Sequence, residues 1–160
     1  MNIILTGPKQ CGKSTVIKKF KQKYSGSISG FISEFDDRAS DTRQLIIRSI
    51  CSENQTCAVK WENGKANVNY SAFDEFAPRL IDLTAELILI DELGKFEASC
   101  KNLQAVVEDA FASSTTVIAV LRLDAPGWIN ALKSREDTLV IDVNSANRNM
   151  LVDKLCELIL

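Results

Sequence analysis

Hydrophobic residues follow two patterns along most of the chain: continuous runs, and positions three or four residues apart. Continuous apolar runs predict buried strands at residues 2–6, 86–92, 116–122 and 138–143. Apolar residues spaced three or four apart predict amphipathic helices after residue 14 and at residues 99–113, 126–133 and 146–159. Strands that alternate with helices in this way indicate an α/β fold, in which helices cover both faces of a parallel sheet.

The pattern changes between residues 28 and 85. Residues 28–35 alternate as a strand does, the polar stretch from Asp36 to Asp41 predicts a turn, and shorter β-like segments follow at 44–51, 57–62 and 66–70. Asn63-Gly64, between the last two segments, is typical of a type I′ turn, so we expect an antiparallel hairpin there. A helix is predicted at 73–83. Together these elements predict about five core strands, mostly parallel, with the hairpin inserted at one edge.

The first strand leads into a segment that fits the phosphate-binding pattern G-x-x-x-x-G-K-[ST]. Its residues are Gly7, Pro8, Lys9, Gln10, Cys11, Gly12, Lys13 and Ser14, followed by Thr15. The glycines let backbone N–H groups turn toward anionic oxygens, and the N-terminus of the following helix adds positive potential. We expect Lys13 to reach the β- and γ-phosphates of a nucleotide and Ser14 to ligate Mg²⁺. The motif and its context predict a three-layer α/β/α P-loop NTPase fold.

The apolar run at 86–92 ends in two carboxylates, Asp91 and Glu92. Ligands of open α/β sheets bind beyond the carboxyl ends of the strands, so Asp91 and the phosphate loop are expected at the same edge. Asp91 would then hold Mg²⁺ opposite Ser14. Because strand side chains alternate, we expect Glu92 to point elsewhere and to act as the general base on the attacking water. The alternative is an acidic turn that only ends the strand.

Three cations are candidates for stabilising charge on the transferred phosphoryl group. Lys95 lies a few residues beyond the two carboxylates, Arg122 ends the predicted strand 116–122, and Arg148 follows the strand 138–143. Each could instead lie at the surface or in a structural ion pair. The sequence leaves open which of them acts on the phosphoryl group.

Composition narrows the classes of function. The 160 residues suit one domain spanning 1–160, and a formal net charge of −2 gives no clear signal for a nucleic-acid partner. The apolar runs are strand-sized and no secretory signal is evident, so we expect a cytoplasmic protein without a membrane span. Five cysteines without C-x-x-C spacing and the lack of any histidine argue against disulfides, structural zinc and Ser-His or Cys-His catalysis.

Cys11 lies within the phosphate loop, just before the predicted helix. A thiol at a helix N-terminus is a candidate for enhanced reactivity. We therefore expect activity that is sensitive to oxidation or alkylation.

Taken together, the motifs resemble the P-loop nucleoside-triphosphatases first described from thermophiles, a family that includes a cancer-related nucleoside-triphosphatase. The segment from Asp91 to Glu97 matches the family signature D-E-[IL]-G-K-[MF]-E. The other matching stretches are Leu5 to Ser14, Gly30-Phe31-Ile32-Ser33-Glu34, and Asn147-Arg148. These stretches span nearly the whole chain in the family's order. One departure is the segment from Asp41 to Ile46, which lacks both glycines of the family's glycine-arginine-x-glycine-phenylalanine segment.

The resemblance implies slow, Mg²⁺-dependent hydrolysis of nucleoside triphosphates to diphosphate and phosphate, with little base preference. It implies phosphate and metal contacts for Lys13 and Ser14, a metal contact for Asp91 and the role of base for Glu92. Lys95 and Arg148 would stabilise charge or contact the nucleotide, and Glu34 would lie near the site. Two other functions fit the same loop: a nucleoside or small-molecule kinase, and a nucleotide-dependent switch that binds an unknown protein partner. The sequence shows no arginine-rich lid of the kinase type.

Overall fold

The computed structural model describes residues 1–36 and 43–159. Most of the turn predicted between Asp36 and Asp41 therefore lies outside the described residues. The strands are β1 (Asn2–Thr6), β2 (Ile28–Asp36), β3 (Arg43–Ser49), β4 (Gln55–Glu62), β5 (Lys65–Val68), β6 (Leu87–Leu93), β7 (Thr116–Leu121) and β8 (Thr138–Asp142). The α-helices are α1 (Lys13–Lys23), α2 (Tyr70–Phe76), α3 (Lys101–Ala112), α4 (Gly127–Ala131) and α5 (Arg148–Ile159). Short 3₁₀ turns cover Ala77–Arg79, Glu97–Ser99 and Leu132–Ser134.

In the described ranges the strands form one sheet in the order β5-β4-β3-β2-β6-β7-β1-β8. The run from β2 to β8 is parallel throughout. Its strands bury both faces: Leu87 and Leu89 of β6 pack with α1 and α5, whereas Ile88 and Ile90 pack with α2, α3 and α4. The predicted α/β architecture with a mostly parallel sheet between two helical layers is confirmed.

The antiparallel part of the sheet is an extension of β2. Strand β3 pairs with β2, β4 with β3, and β5 with β4, all antiparallel. Asn63 and Gly64 join β4 to β5 with φ angles of 51° and 75°, the positive values that a type I′ turn requires at both central residues. Three antiparallel strands, rather than the hairpin alone, therefore widen the sheet beyond its parallel core.

Strand order places the phosphate loop and the acidic strand end at one edge. A single strand, β7, separates β1 from β6. All three strands are parallel, so the segments that follow them leave the sheet at the same end. This arrangement brings Ser14, at the start of α1, to Asp91, which is 77 residues away in the chain.

The predicted limits of the helix at 73–83 are wrong. The Asn69 side chain accepts a hydrogen bond from the backbone N–H of Ala72 at 3.1 Å, so it caps the helix and starts it at Tyr70. The α-helix ends at Phe76, and Pro78 lies in the 3₁₀ turn that follows. Proline has no N–H to continue the helical hydrogen-bond ladder, which explains the early end.

No helix in residues 1–36 and 43–159 combines the length and the apolar character needed to cross a membrane.

Candidate active site

The loop between β1 and α1 depends on two glycines that approach other backbone or side-chain atoms closely. Gly7 has a φ of +141°, and a Cβ atom there would lie 2.6 Å from the carbonyl oxygen of Val143. Gly12 has a φ of +105°, and a Cβ atom there would lie 3.0 Å from Cδ of Arg148. The backbone conformation favours glycine at both positions, and at Gly7 the space also excludes a side chain. The second contact also places Arg148, the first residue of α5, against the loop.

Lys13 begins α1 and is buried beneath the loop. Its ammonium group donates to the carbonyl oxygens of Gly7 at 2.9 Å and Pro8 at 2.8 Å, and lies 3.7 Å from Sγ of Cys11. By contrast, other residues of the loop and of the first turn of the helix are exposed, namely Pro8, Lys9, Gln10, Ser14 and Thr15. Two carbonyl oxygens of the loop therefore hold the Lys13 ammonium group, which places a buried positive charge beside the N-terminus of α1.

Asp91 lies at the end of β6, is 6% exposed and accepts a hydrogen bond from Ser14 Oγ at 3.5 Å. Burial raises the pKa of Asp91 to about 6, and the neighbouring carboxylates Glu92 and Glu34 also raise it. The hydrogen bond from Ser14 and the charge of Lys13 act in the opposite direction. The site therefore contains a carboxylate whose negative charge is costly unless a cation is close to it.

The hydroxyl and carboxylate oxygens of Ser14 and Asp91 are the hard donors that Mg²⁺ prefers. The described part of the chain holds no cluster of three or more histidine, cysteine, aspartate or glutamate side chains that could bind a metal. Mg²⁺ does not need such a cluster, because it keeps several waters and binds through one or two protein groups and the substrate phosphates. The residues present fit this cation.

Glu92 does not follow the simple alternation that the sequence predicted for it. The register between β6 and β7 shifts at this point: Asp91 pairs with Val120, and Leu93 pairs with Leu121. Glu92 is the extra residue between two regular pairs, as in a β-bulge, and bulges commonly redirect a side chain beside a functional site. Asp91 and Glu92 line the same cavity, which the alternation of a regular strand did not predict.

Arg122 contacts the proposed base directly. Its Nε lies 3.6 Å from a carboxylate oxygen of Glu92 and 3.6 Å from one of Asp124. Its backbone N–H donates to the carbonyl oxygen of Leu93 at 2.9 Å, which anchors the end of β7 to the end of β6. Arg122 thus forms an ion pair, one of the alternatives that the sequence left open for it, and the partner that the sequence did not name is Glu92.

Glu97 is a buried carboxyl group to which the sequence assigned no role. It is 3% exposed and accepts a hydrogen bond from the backbone N–H of Gly94 at 2.9 Å. Burial raises the pKa of Glu97 to about 7, and the charge of Glu92 adds to the rise while Arg122 opposes it. The matching family signature, which ends at this residue, is the one sequence signal that singled it out.

A cavity of about 180 Å³ joins these groups at the edge of the sheet. Its polar lining includes Ser14, Asp91, Glu92, Glu97 and Arg122. Lys95 also lines it and is exposed, with its ammonium group 5.0 Å from the ring centroid of Phe96. The structure therefore brings Ser14, Asp91, Glu92, Lys95 and Arg122 together, and it places Arg148 apart from them beside Gly12.

A phosphate-type loop, an adjacent acidic strand end and a shared cavity define the class of nucleoside-triphosphate-binding α/β proteins. Comparison with known proteins agrees with this class and makes it more specific. The sequence model of the NTPase family matches residues 2–156. The chain belongs to this family of nucleoside-triphosphatase enzymes.

Individual relatives cover almost the whole chain. The nucleoside-triphosphatase THEP1 of Thermotoga maritima is 28% identical over 97% of this chain and 93% of its own length. The crystal structure of THEP1 from Aquifex aeolicus superposes with a TM-score of 0.80 at 21% identity, covering 99% of each chain. The solution structure of a human cancer-related nucleoside triphosphatase gives a TM-score of 0.77 at 20% identity, over 98% of this chain and 96% of that one. The two solved structures share the fold.

Proposed function

We propose that this chain hydrolyses nucleoside 5′-triphosphates to diphosphate and phosphate in a Mg²⁺-dependent reaction, with Glu92 as the general base and little preference for the base. The observation that carries the proposal is the single cavity in which Ser14, Asp91, Glu92 and Arg122 meet beside the phosphate loop. Family membership supplies the substrate class, and the geometry supports the roles of the individual residues.

Binding of the triphosphate would use the loop and its lysine. The ammonium group of Lys13 is already held among loop carbonyls, so phosphate oxygens that enter the loop would meet a buried cation and the N-terminus of α1. Ser14 and Asp91 would hold Mg²⁺, which neutralises charge on the phosphate oxygens when it is bound. Arg148, beside Gly12, would contact the nucleotide away from the reacting phosphate.

Hydrolysis would take place in the cavity at the end of β6. Glu92 would accept a proton from the water that attacks the γ-phosphorus, and the nucleoside diphosphate would leave with the electrons of the broken P–O bond. The ion pair with Arg122 would keep the Glu92 carboxylate in place. Arg122 and Lys95 both line the cavity and would stabilise charge on the transferred phosphoryl group.

Release of inorganic phosphate from ATP, GTP, CTP and UTP, without any added acceptor, tests this function and separates it from kinase activity. A rate that cellular extract does not stimulate would separate it from a nucleotide-dependent switch. We expect Glu92→Gln to bind nucleotide but to turn over at least tenfold more slowly, and Lys13→Ala to bind poorly. Glu86→Gln is the matched control, because Glu86 precedes the opposite end of β6 and accepts its hydrogen bond from Ser27. Unchanged turnover of Glu92→Gln would reject the assigned base.

A further inference from the structure

One residue in the wall of the same cavity has a buried hydroxyl group without a partner. Ser33 Oγ is buried and makes no hydrogen bond within the part of the chain that the structure describes. Ser33 also lines the cavity that holds Glu92 and Arg122. Two other buried side-chain oxygens lack a partner among the described residues, Oδ1 of Asn2 and Oγ1 of Thr6, but neither residue lines this cavity.

The register between β2 and β6 explains why Ser33 lines this cavity. Ile32 of β2 pairs with Asp91 of β6, and the two strands are parallel. Ser33 lies one residue beyond that pair on β2, as Glu92 does on β6. Each residue thus follows one member of this pair, and both line one cavity.

A buried hydroxyl group without a hydrogen bond lowers the stability of the folded protein. A native protein that keeps such a group has a reason for it, and a catalytic role is one such reason. A serine hydroxyl both donates and accepts, which matches the needs of a water molecule. We infer that Ser33 is a further catalytic residue, whose hydroxyl hydrogen-bonds the attacking water and holds it against Glu92. This inference rests on the proposed hydrolysis.

The reaction with Ser33 included is balanced. The water oxygen forms a bond to the γ-phosphorus, the bond from that phosphorus to the bridging oxygen breaks, and the diphosphate leaves with the electron pair. Glu92 takes the proton that the water loses. Ser33 exchanges no proton with the water and only fixes its position, a role in which orientation lowers the barrier.

The test compares steady-state phosphate release from ATP by wild type, Ser33→Ala, Ser33→Thr and Ser49→Ala in magnesium-containing buffer. Ser49 is the matched control, because it is a buried serine on neighbouring β3 whose hydroxyl contacts Cys51 and does not line the cavity. We expect kcat of Ser33→Ala to fall about tenfold with KM nearly unchanged, the effect of losing one hydrogen bond in the transition state. Ser33→Thr retains the hydroxyl and should keep most of the activity, and Ser49→Ala should match wild type.

A binding measurement separates this role from a structural one. ADP alone should bind wild type and Ser33→Ala equally, whereas ADP with aluminium fluoride, which mimics the transferred phosphoryl group and its attacking water, should bind Ser33→Ala about tenfold more weakly. The melting temperature of Ser33→Ala should equal or exceed that of wild type, because a buried unpaired hydroxyl is removed.

Three results would overturn the inference: full kcat in Ser33→Ala, an equal loss in Ser33→Thr, or equal weakening of ADP binding with and without aluminium fluoride. A wild type that releases no phosphate from any nucleotide would reject the proposed function, and the inference would fall with it. A wild type that hydrolyses ATP while Ser33→Ala does so equally well would reject the inference alone.

Discussion

Replacement of Glu97 by glutamine should change how stability depends on pH. The Glu97 carboxyl group is buried, and its pKa is raised from 4.5 to about 7, chiefly by burial. Between these two values the folded protein binds more protons at this site than the unfolded chain does. The free energy of unfolding must therefore fall as the pH rises through this window, and the loss is complete above about pH 7.

The size of the effect follows from the same two values. Each tenfold change in an ionisation constant corresponds to about 1.4 kcal/mol, so ionisation of Glu97 costs the folded state about 3 kcal/mol. In Glu97→Gln the amide oxygen can still accept the N–H of Gly94, and no charge is buried at any pH. The variant should thus be more stable than wild type at pH 8 by about 3 kcal/mol and lose this advantage toward pH 4.5.

Urea unfolding of both proteins at half-unit intervals from pH 4.5 to 8.5 measures this difference. Asp91 also has a raised pKa, so both curves will slope, and only the difference between them reports on Glu97. The charged neighbours of Glu97 are Glu92 and Arg122, and both remain in the variant. Glu157→Gln, an exposed glutamate on α5, is the control and should run parallel to wild type. Parallel curves for wild type and Glu97→Gln would refute the reasoning.

Three further outcomes are expected. Alkylation of Cys11, which lies 3.7 Å from the ammonium group of Lys13, should abolish phosphate release, and full activity after mass-mapped modification would reject this. Asp91→Asn should raise the magnesium concentration for half-maximal activity at least tenfold in a magnesium titration, whereas an unchanged requirement would remove Asp91 from the metal site. Gly30→Ala should destabilise the protein by about 3 kcal/mol or more in urea unfolding, because its Cβ would lie 1.9 Å from a carbonyl oxygen of β6. Gly64→Ala, whose Cβ would meet nothing within 4 Å, should cost much less, and equal losses would contradict the steric argument.

Local pattern in the sequence was enough to predict the parallel core and the glycine-containing loop between β1 and α1. Buried parallel strands are continuous apolar runs, and amphipathic helices repeat every three or four residues, so each can be recognised without its neighbours. The loop likewise carries its chemistry in consecutive residues from Gly7 to Ser14. The same holds for the turn at Asn63-Gly64, where both residues adopt the positive φ angles that the dipeptide favours.

Tertiary structure decided the relations between groups that are distant in the chain. The register shift at Glu92 depends on how β6 pairs with β7, and the contact from Arg122 to Glu92 joins two strand ends. The elements packed around Glu97 and the Ser33 hydroxyl bury both groups. The identity of a residue in the sequence does not show whether its side chain is buried, so the raised pKa of Glu97 could not be predicted from the sequence. The sequence by itself therefore determined which residues could carry the chemistry of the site. Packing determined which of them share one cavity, because strand register and burial depend on the whole sheet and its two helical layers.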